Sequence, residues 1–239
     1  MEPVYENLVA LQDVDLRIHA LEQSKIDFPH KVLDLTTLIK TADTERDSAQ
    51  KKLDDTIAEQ KAISDKIAEY TSLLEKSQSR LNSIKTNREY DAIHAEIENA
   101  KSGTVSQNIK LKQVCAEVER STLTVAHLTE KATAVRAENE PLIAELTEKI
   151  ATIDSQIASI MQERDSIAPK IPRPYLSQYD FIRSRRKTGR ALSPVSESRT
   201  CGVCFKILES YVINEIKTGR KLVNCQSCGS LLVWQPNVV

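Results

Sequence analysis

The sequence contains little glycine and few aromatic residues. Only 5 glycines occur among 239 residues, and Phe, Trp and Tyr together make up 4%. An enzyme of this length normally carries more of both, because tight loops use glycine and large cores use aromatic side chains. The glycines do not cluster into a phosphate-binding loop, and no Ser/His/Asp or Cys/His set is evident. We therefore expect a protein that is not an enzyme.

Long apolar runs are also missing. No stretch approaches the roughly 20 apolar residues that a membrane-spanning helix needs, and the opening Met-Glu-Pro-Val-Tyr-Glu does not resemble a secretory signal. We expect a soluble, cytoplasmic protein without membrane insertion. Charged residues instead make up 28% of the chain, which is typical of helices that expose most of their surface.

A seven-residue repeat of apolar positions occupies most of the first 167 residues. The a positions begin Val4, Leu11, Ile18 and the d positions begin Asn7, Val14, Leu21. A second run of the same spacing starts at Tyr90. Beyond Pro141 the apolar positions are Leu142, Leu146, Ile150, Ile153, Ile157, Ile160 and Ile167. The repeat predicts two long helices, each with one narrow apolar stripe that must pack against another helix.

Two prolines indicate how these helices pair. Pro29 and Pro141 lie inside the heptad runs, and each is 56 residues from Lys85. A chain reversal near 83–89 would bring both prolines to the same level of an antiparallel hairpin, with a kink near each. We therefore predict a kinked antiparallel coiled-coil hairpin over residues 1–168. The alternative is two straight helices that pair between chains, which heptads alone do not exclude.

The seam, meaning the a and d positions, has a weak section in the first helix. Five of its positions carry small or polar residues: Ala42, Arg46, Ala49, Thr56 and Gln60. Such residues lower stability and help to fix the register. We interpret them as tolerated core imperfections, and a groove for a partner helix is the second interpretation. In the second helix Gly103 is a further weak point, costing about 1 kcal/mol relative to alanine.

Charge divides the chain into an acidic and a basic part. From Lys170 onward there are 12 basic and 4 acidic residues, a net charge of +8, which leaves −9 for the preceding residues. This asymmetry indicates an anionic partner for the basic part, or its docking on the acidic helices; a solvated basic linker is the simpler reading. Five residues form the candidate binding surface for nucleic acid or another anionic partner: Arg183, Arg185, Arg186, Lys187 and Arg190.

Residues 169–199 form a basic, proline-containing linker. Pro169, Pro172 and Pro174 end the second helix. The spacing of apolar residues that follows predicts a short helix from about Tyr175. After this helix a loop is expected from Gly189 to Thr200, because Gly189 and Pro194 interrupt any regular element.

Four cysteines carry the strongest chemical pattern. Cys201, Cys204, Cys225 and Cys228 form C-x2-C-x20-C-x2-C. This spacing is typical of a tetrahedral site in which four thiolates bind one structural Zn²⁺ at about 2.3 Å. Gly229 after the second pair suits a positive φ, which turns backbone N–H groups toward the sulfurs. Two disulfides, a redox pair and an iron–sulfur centre are the alternatives, and disulfides are rare in a reducing cytoplasm.

The segments around the cysteines predict a small β zinc ribbon over 200–239. Leu208 to Ile216 is a short helix or strand, Thr218-Gly219 is a turn, and 221–223 and 231–234 are strands. Four thiolates on Zn²⁺ leave a net charge of −2. The cations expected to offset it are Lys206, Lys217, Arg220 and Lys221. The predicted fold class is therefore mainly α, a long kinked antiparallel coiled-coil hairpin followed by a small C-terminal β zinc ribbon.

The predicted tip of the hairpin carries a recognisable motif. Thr86-Asn87-Arg88-Glu89-Tyr90-Asp-Ala-Ile, followed by Glu96-Ile97, resembles the tip motif of a bacterial family that combines a coiled-coil hairpin with a four-cysteine zinc ribbon. Three further features extend the resemblance over nearly the whole chain: Ile171-Pro172 at the end of the second helix, the basic segment Tyr179-x-x-Ile182-Arg183, and both cysteine pairs. In these motifs the chain resembles the chlamydial member of the family. Thr86 or Asn87 can also simply cap the second helix, so a partner site at the tip is a hypothesis.

The resemblance implies an adaptor or chaperone role. Family members are associated with the alternative sigma-54 factor and with flagellar-type type III secretion components, and one relative is linked to messenger RNA through its ribbon. Two hypotheses follow for this chain. The first is a non-enzymatic scaffold that binds proteins, and the alternative is nucleic-acid binding through the basic ribbon region.

Overall fold

The computed structural model describes residues 2–219 and 221–235. Two long helices are followed by a short helix and a small mixed domain. The elements are α1 (Glu2–Leu81), α2 (Asn87–Ile167), a 3-10 turn (Ala168–Lys170), α3 (Arg173–Ser184), β1 (Leu192–Val195), α4 (Ser210–Thr218), β2 (Val223–Asn224) and β3 (Leu231–Trp234). The predicted helical hairpin and small C-terminal sheet are confirmed. None of the described helices is both long and apolar enough to cross a membrane.

Two compact units divide the chain. One contains Leu33–Ile143, and the other contains the residues up to Val32 together with those from Ala144 onward. In the first unit α1 and α2 are antiparallel, as ion pairs across the helices demonstrate: Arg136–Asp43 at 2.6 Å, Lys131–Glu45 at 2.8 Å and Lys52–Glu117 at 2.8 Å. The helices pair within one chain, so the alternative of pairing only between chains is not needed.

Burial follows the predicted seam closely. Every predicted a and d position from Val4 to Ile84 is buried or half-buried except Lys25, which is exposed, and most residues between these positions are exposed. Both helices continue through their internal prolines, Pro29 and Pro141. The kinks predicted at these prolines stay a prediction.

Two predicted seam residues of α2 lie outside the seam. Tyr90 is 48% exposed and Leu142 is 45% exposed. The inward-facing positions step from Asn139 to Ile143 and then to Leu146, so a four-residue step replaces the three-residue step of the heptad. Such a shift is a stutter, which locally unwinds a coiled coil. Pro141 lies within this step. We assign the shift to this proline, because a proline inside a helix removes one backbone hydrogen bond and distorts the turn before it.

The weak section of the seam is packed inside the helix pair. Ala42 is buried, and the amide of Gln60 donates a hydrogen bond to the sulfur of Cys115 at 3.1 Å. Arg46 pairs with Asp43 and Asp47 on its own helix. These polar groups find partners within the first unit, which supports the interpretation of tolerated core imperfections. The same contact accounts for Cys115, which is half-buried and has a free thiol.

Gly103 has a packing role. A Cβ atom at this position would lie 2.7 to 2.9 Å from ring atoms of Tyr70, a distance well inside van der Waals contact. The missing side chain of Gly103 therefore leaves room for the Tyr70 ring, and this contact offsets the cost of glycine in a helix.

Replacing Gly103 with alanine is expected to destabilise the protein by about 1 kcal/mol. Overpacking against Tyr70 costs about 1–3 kcal/mol, whereas the better helix propensity of alanine returns about 1 kcal/mol. In a Tyr70→Leu background the same substitution should be neutral or stabilising. Urea unfolding followed by circular dichroism compares the four chains, and stabilisation by Gly103→Ala in both backgrounds would contradict the assigned contact.

Thr86 caps the N-terminal end of α2, directly after the reversal between the long helices. Its hydroxyl accepts the backbone N–H of Glu89 at 3.4 Å and donates to the Glu89 carboxylate at 2.9 Å, so Thr86 is a side-chain N-cap of α2. Asn87, Arg88 and Tyr90 are exposed beside it. The cap explains why α2 starts here, and the predicted partner site at this tip stays a hypothesis.

In the second unit a three-stranded sheet packs on the start of α1. The strand order is β1-β3-β2, with β1 parallel and β2 antiparallel to β3. The predicted loop between Gly189 and Thr200 is therefore wrong, because Leu192–Val195 forms β1. Pro194 is tolerated because β1 is an edge strand, where a missing N–H breaks no ladder bond; its carbonyl accepts the N–H of Gly202 at 3.0 Å.

Strand β3 contributes to two hydrophobic cores. Leu231 and Val233 pack with Leu8 and Leu11 of α1. Leu232 and Trp234 point to the opposite face, where a second core surrounds the cysteines and α4. This alternation follows from the two-residue period of a strand. The first core also contains Ile171, Tyr179 and Leu192, so it joins residues from all three segments predicted from sequence.

Candidate metal centre

The four predicted cysteine ligands converge on one point. All four Sγ atoms lie within 4.8 Å of one another, and the closest pairs are Cys201–Cys228 at 3.6 Å and Cys204–Cys225 at 3.7 Å. Four sulfurs about 2.3 Å from one ion at tetrahedral angles would be about 3.8 Å apart. Four thiols gathered in this way could hold one metal ion.

All four cysteines are free thiols. A disulfide needs a sulfur–sulfur distance of about 2.05 Å, which is far shorter than the 3.6 Å of the closest pair. The alternative of two disulfides therefore does not describe this structure. The four thiols suit an ion that prefers sulfur ligands.

The two cysteine pairs have equivalent backbones. In the first knuckle, residues 201–206, Phe205 N–H donates to Cys201 O at 2.8 Å and Cys201 N–H donates to Lys206 O at 3.0 Å. In the second knuckle, residues 225–230, Gly229 and Cys225 make the matching bonds, both at 2.8 Å. The predicted positive φ of Gly229 is found, at +75°. These turns hold the thiols toward the common centre.

Polar groups surround the sulfurs on the side facing α3. Ser193 Oγ lies 3.1 Å from Cys201 Sγ, and Ser230 Oγ lies 3.4 Å from Cys228 Sγ. The guanidinium of Arg186 donates to the carbonyl of Cys228 and, at 3.2 Å, to Ser230 Oγ. Arg186 thus places a positive charge beside the knuckle, where four thiolates on a divalent ion would leave a net negative charge.

The cations predicted to offset this charge are engaged elsewhere. Lys217 lies over the Trp234 ring at 3.9 Å and pairs with Glu197, and Lys221 pairs with Glu215 at 3.0 Å. Lys206 is exposed, and Arg220 lies outside the described residues. Sequence reasoning assigned Arg186 to a binding surface because only the fold brings α3 against the second knuckle.

The thiols of the second knuckle differ in acidity in the metal-free protein. Burial raises the pKa of Cys225 to about 12. Burial also opposes ionisation of Cys228, but hydrogen bonds from Ser230 and from the neighbouring thiols outweigh it and lower its pKa to about 6. Cys228 is therefore the first of this pair to carry negative charge, and a metal ion must displace the proton of Cys225 on binding.

The five predicted anion-binding residues have different roles. Arg183 lies 3.3 Å from Asp15, and Arg186 is bound to the second knuckle. Arg185 lies over the ring of Phe181 at 4.1 Å. Lys187 and Arg190 are exposed. Two of the five cations are thus used inside the protein, and three remain on the surface.

A buried ionic cluster, which sequence reasoning missed, holds α3 against the long helices. The side chain of Asp15 is fully buried and accepts hydrogen bonds from Arg164 Nε at 2.8 Å and Tyr179 Oη at 2.9 Å. Arg164 also binds Asp180 at 2.6 Å. Burial and the nearby Asp15 carboxylate raise the pKa of Tyr179 far above its ordinary value. The only signal in the sequence was an acidic residue directly after the seam residue Val14.

His19 is a second residue placed incorrectly by sequence reasoning. The four histidines, His19, His30, His94 and His127, lie off the seam positions, and this placement alone predicts solvated side chains. Instead, His19 is half-buried, and its Nε2 donates a hydrogen bond to the carbonyl of Lys187 at 3.0 Å. The contact fixes the turn that follows α3 against α1.

Comparison with known proteins supports the same architecture. The model of the CT398-like coiled coil hairpin domain family matches residues 11–187. The structure of CT398 from Chlamydia trachomatis aligns with a TM-score of 0.76 at 18% identity, covering 98% of this chain and 99% of that one. The HP0958 protein from Helicobacter pylori aligns with a TM-score of 0.54 at 16% identity, with 97% of each chain covered.

A protein from Mycobacterium smegmatis aligns similarly, with a TM-score of 0.55 at 16% identity over 95% of this chain and 98% of that one. No curated protein matches the sequence. At these identities the structural matches establish the fold alone. The family model covers most of the chain, including nearly all of both long helices and α3. The chain therefore belongs to the CT398-like coiled coil hairpin domain family.

Proposed function

We propose that the protein is a cytoplasmic, non-enzymatic scaffold that binds other proteins and is stabilised at its C-terminal end by one structural Zn²⁺. By resemblance to the family, the partners are the sigma-54 transcription factor and flagellar-type type III secretion components. In this role the long helices present an extended polar surface. The ribbon adds a rigid head whose side chains are held in place by the metal.

The observation that carries the proposal is the closed set of four thiols. Four protein ligands fill a tetrahedral shell and leave no position for a water molecule or a substrate, which is the arrangement of structural zinc sites. Four sulfur ligands at tetrahedral spacing favour Zn²⁺ over Mg²⁺ or Ca²⁺, which prefer oxygen. Metal analysis of the purified full-length chain should return one zinc per chain.

Binding is tested with the full-length chain and two purified proteins, the sigma-54 factor and a flagellar-type export component from the same cell. Surface plasmon resonance at physiological salt is expected to give micromolar or tighter affinity for at least one of them. The chain should not be cut at residue 168 for this purpose, since the cut would expose Leu8 and Leu11, which pack against β3.

The vegetative sigma factor serves as the control, because it is also a sigma factor but is not one of the proposed partners. Equal affinity for both sigma factors would mean that binding is nonspecific. Failure of both candidate partners to bind the zinc-loaded chain would refute the proposed partners, and turnover of a substrate at the cysteine centre would refute the scaffold role.

Nucleic-acid binding is the second candidate function. It is favoured by the exposed pair formed by Arg185 and Phe181, in which the guanidinium lies over the ring. Aromatic rings and arginine planes are common stacking surfaces for unpaired bases. Lys187 and Arg190 add two exposed cations nearby in sequence. Arg183 and Arg186 do not contribute freely, since they hold Asp15 and the second knuckle.

Salt dependence distinguishes this candidate. If Arg185, Lys187 and Arg190 each neutralise one phosphate, the logarithm of the affinity for single-stranded RNA should fall against the logarithm of salt with a slope of about −2. A chain in which all three are replaced by glutamine should bind RNA without that slope. Absent or salt-independent binding of oligouridylate between 50 and 200 mM salt would remove this function.

A further inference from the structure

The first knuckle contains a backbone conformation that its sequence does not favour. Phe205 occupies the position that Gly229 occupies in the second knuckle, and its φ is +59° against +75° for the glycine. The hydrogen bonds of the two turns match. The left-handed region costs a non-glycine residue roughly 1–2 kcal/mol, so a glycine would serve the metal site better than this phenylalanine does.

The knuckle hydrogen bond from Phe205 N–H to Cys201 O at 2.8 Å holds this backbone conformation, but it does not require a phenylalanine side chain. The Phe205 side chain is 75% exposed, so it gains little from burial. Arg199, at φ +56°, is the other non-glycine residue with positive φ in the described part of the chain. The two residues flank one antiparallel bridge, which joins Thr200 to Ile207. Backbone strain of this kind is typical of positions selected for binding.

Two more large apolar side chains are exposed within six residues of Phe205 in the sequence. Ile207 is 76% exposed and Tyr211 is 52% exposed. Ile207 lines a small cavity of about 60 Å³ together with Gln226, and the amide of Gln226 donates to the Tyr211 hydroxyl at 2.7 Å. A cavity of this size admits the end of one aliphatic side chain. We call Phe205, Ile207 and Tyr211 the ribbon patch.

Positive charge borders the ribbon patch. Lys206 and Arg199 are exposed, and neither makes an ion pair within the described chain. The N-cap residue of α4 is Glu209, which also lines the cavity beside Ile207. Glu209 is the one exposed acidic residue in this segment. An acidic partner therefore complements the patch better than a basic one.

We infer that the ribbon patch is the docking site for an extended segment of a partner protein in which large aliphatic residues alternate with Asp or Glu. An aliphatic side chain enters the cavity beside Ile207, and Phe205 and Tyr211 cover its neighbours. The acidic residues face Lys206 and Arg199. The inference rests on the proposed protein-binding function and assigns it a surface.

The test uses the zinc-loaded full-length chain and a short fluorescein-labelled peptide of alternating Leu and Glu, followed by fluorescence anisotropy. The wild-type chain should bind this peptide about tenfold or more tightly than a peptide of alternating Leu and Lys. Phe205→Gly and Ile207→Ser should each weaken binding about tenfold or more. Phe205→Gly should also keep or raise the unfolding temperature, since it removes the strained backbone.

Phe181→Ser is the matched control, because Phe181 is also an exposed aromatic residue, at 56%, but lies on α3. Its affinity for the acidic peptide should stay within about twofold of wild type. Absence of peptide binding up to about 1 mM, or binding that survives Phe205→Gly and Ile207→Ser, would overturn the inference. Binding of oligouridylate that is lost in Phe205→Gly would also overturn it, by assigning the patch to nucleic acid.

Failure of this inference can be separated from failure of the proposed function. If the sigma-54 factor or the export component binds the wild-type and Phe205→Gly chains equally, the protein-binding function stands and the ribbon patch is not its site. If neither partner nor peptide binds any chain, both proposals fail.

Discussion

Chelation of the metal is expected to unfold one side of the ribbon while the long helices remain folded. Residues 200–229, which contain α4 and both knuckles, should lose protection from hydrogen exchange. Structural zinc in small domains contributes on the order of 10–16 kcal/mol to folding, and without it the burial of Leu208, Val212, Ile213 and Ile216 alone is too small a core to persist.

The other side of β3 should behave differently. Leu231 and Val233 pack on Leu8, Leu11 and Tyr179, and no cysteine belongs to that core. Hydrogen exchange with mass spectrometry, before and after chelation, therefore should report near-complete loss of protection in 200–229 and little change in α1, α2 and α3. Circular dichroism should change only slightly, because α4 has nine helical residues.

Cys201→Ser and Cys115→Ser provide a matched pair of variants. Cys201→Ser removes one metal ligand and should reproduce the effect of chelation. Cys115→Ser changes a cysteine that contacts only Gln60 among the described hydrogen bonds, and should leave metal content and the ribbon unchanged. Full protection of 200–229 in the metal-free wild-type chain would show that the ribbon does not depend on its metal.

Asp15→Ala is expected to be the most damaging single substitution outside the ribbon. It would leave the Arg164 and Arg183 guanidinium groups and the Tyr179 hydroxyl without their shared acceptor. Removing one partner of a buried ion pair costs about 3–5 kcal/mol. For a chain of this size that corresponds to a fall of about 10 °C in the unfolding temperature of the unit that contains α3.

Asp154→Ala is the control for this prediction. Asp154 Oδ1 forms an ion pair with Lys25 Nζ at 2.6 Å, but both side chains are more than half exposed. Surface pairs contribute about 0–1 kcal/mol, so the unfolding temperature should change by at most about 4 °C. Calorimetry measures both variants, and equal small effects would mean that the Asp15 cluster contributes no more than a surface pair.

The long helices and the metal ligands were predictable because their patterns are local. A heptad repeats within one helix, so burial of positions such as Leu53 and Ile63 follows from the sequence alone. The knuckles are likewise encoded within four residues each, and the joining of Cys201 to Cys228 follows from the preference of one ion for four ligands. The N-cap at Thr86 is also a short-range pattern.

The contacts that join distant segments were not predictable in the same way. Strand β1 pairs in parallel with β3 across about 35 intervening residues, and Pro194 concealed it because proline is unfavourable in most strands. The roles of Asp15 and Arg186 depend on where α3 lies, which no periodic pattern specifies. Tyr90 and Leu142 lie outside the seam, and we assign this to local changes of the helix at the Thr86 cap and at Pro141.

The packing of Leu8 and Leu11 against β3 has a consequence for synthesis on the ribosome. About 220 residues separate Leu11 from Leu231, its partner in the same core. At elongation rates of about 5–20 residues per second, that interval lasts roughly 10–40 s. During this interval Leu8 and Leu11 lack the part of their core that β3 supplies. We therefore expect cellular chaperones to bind the newly made protein at this end of α1.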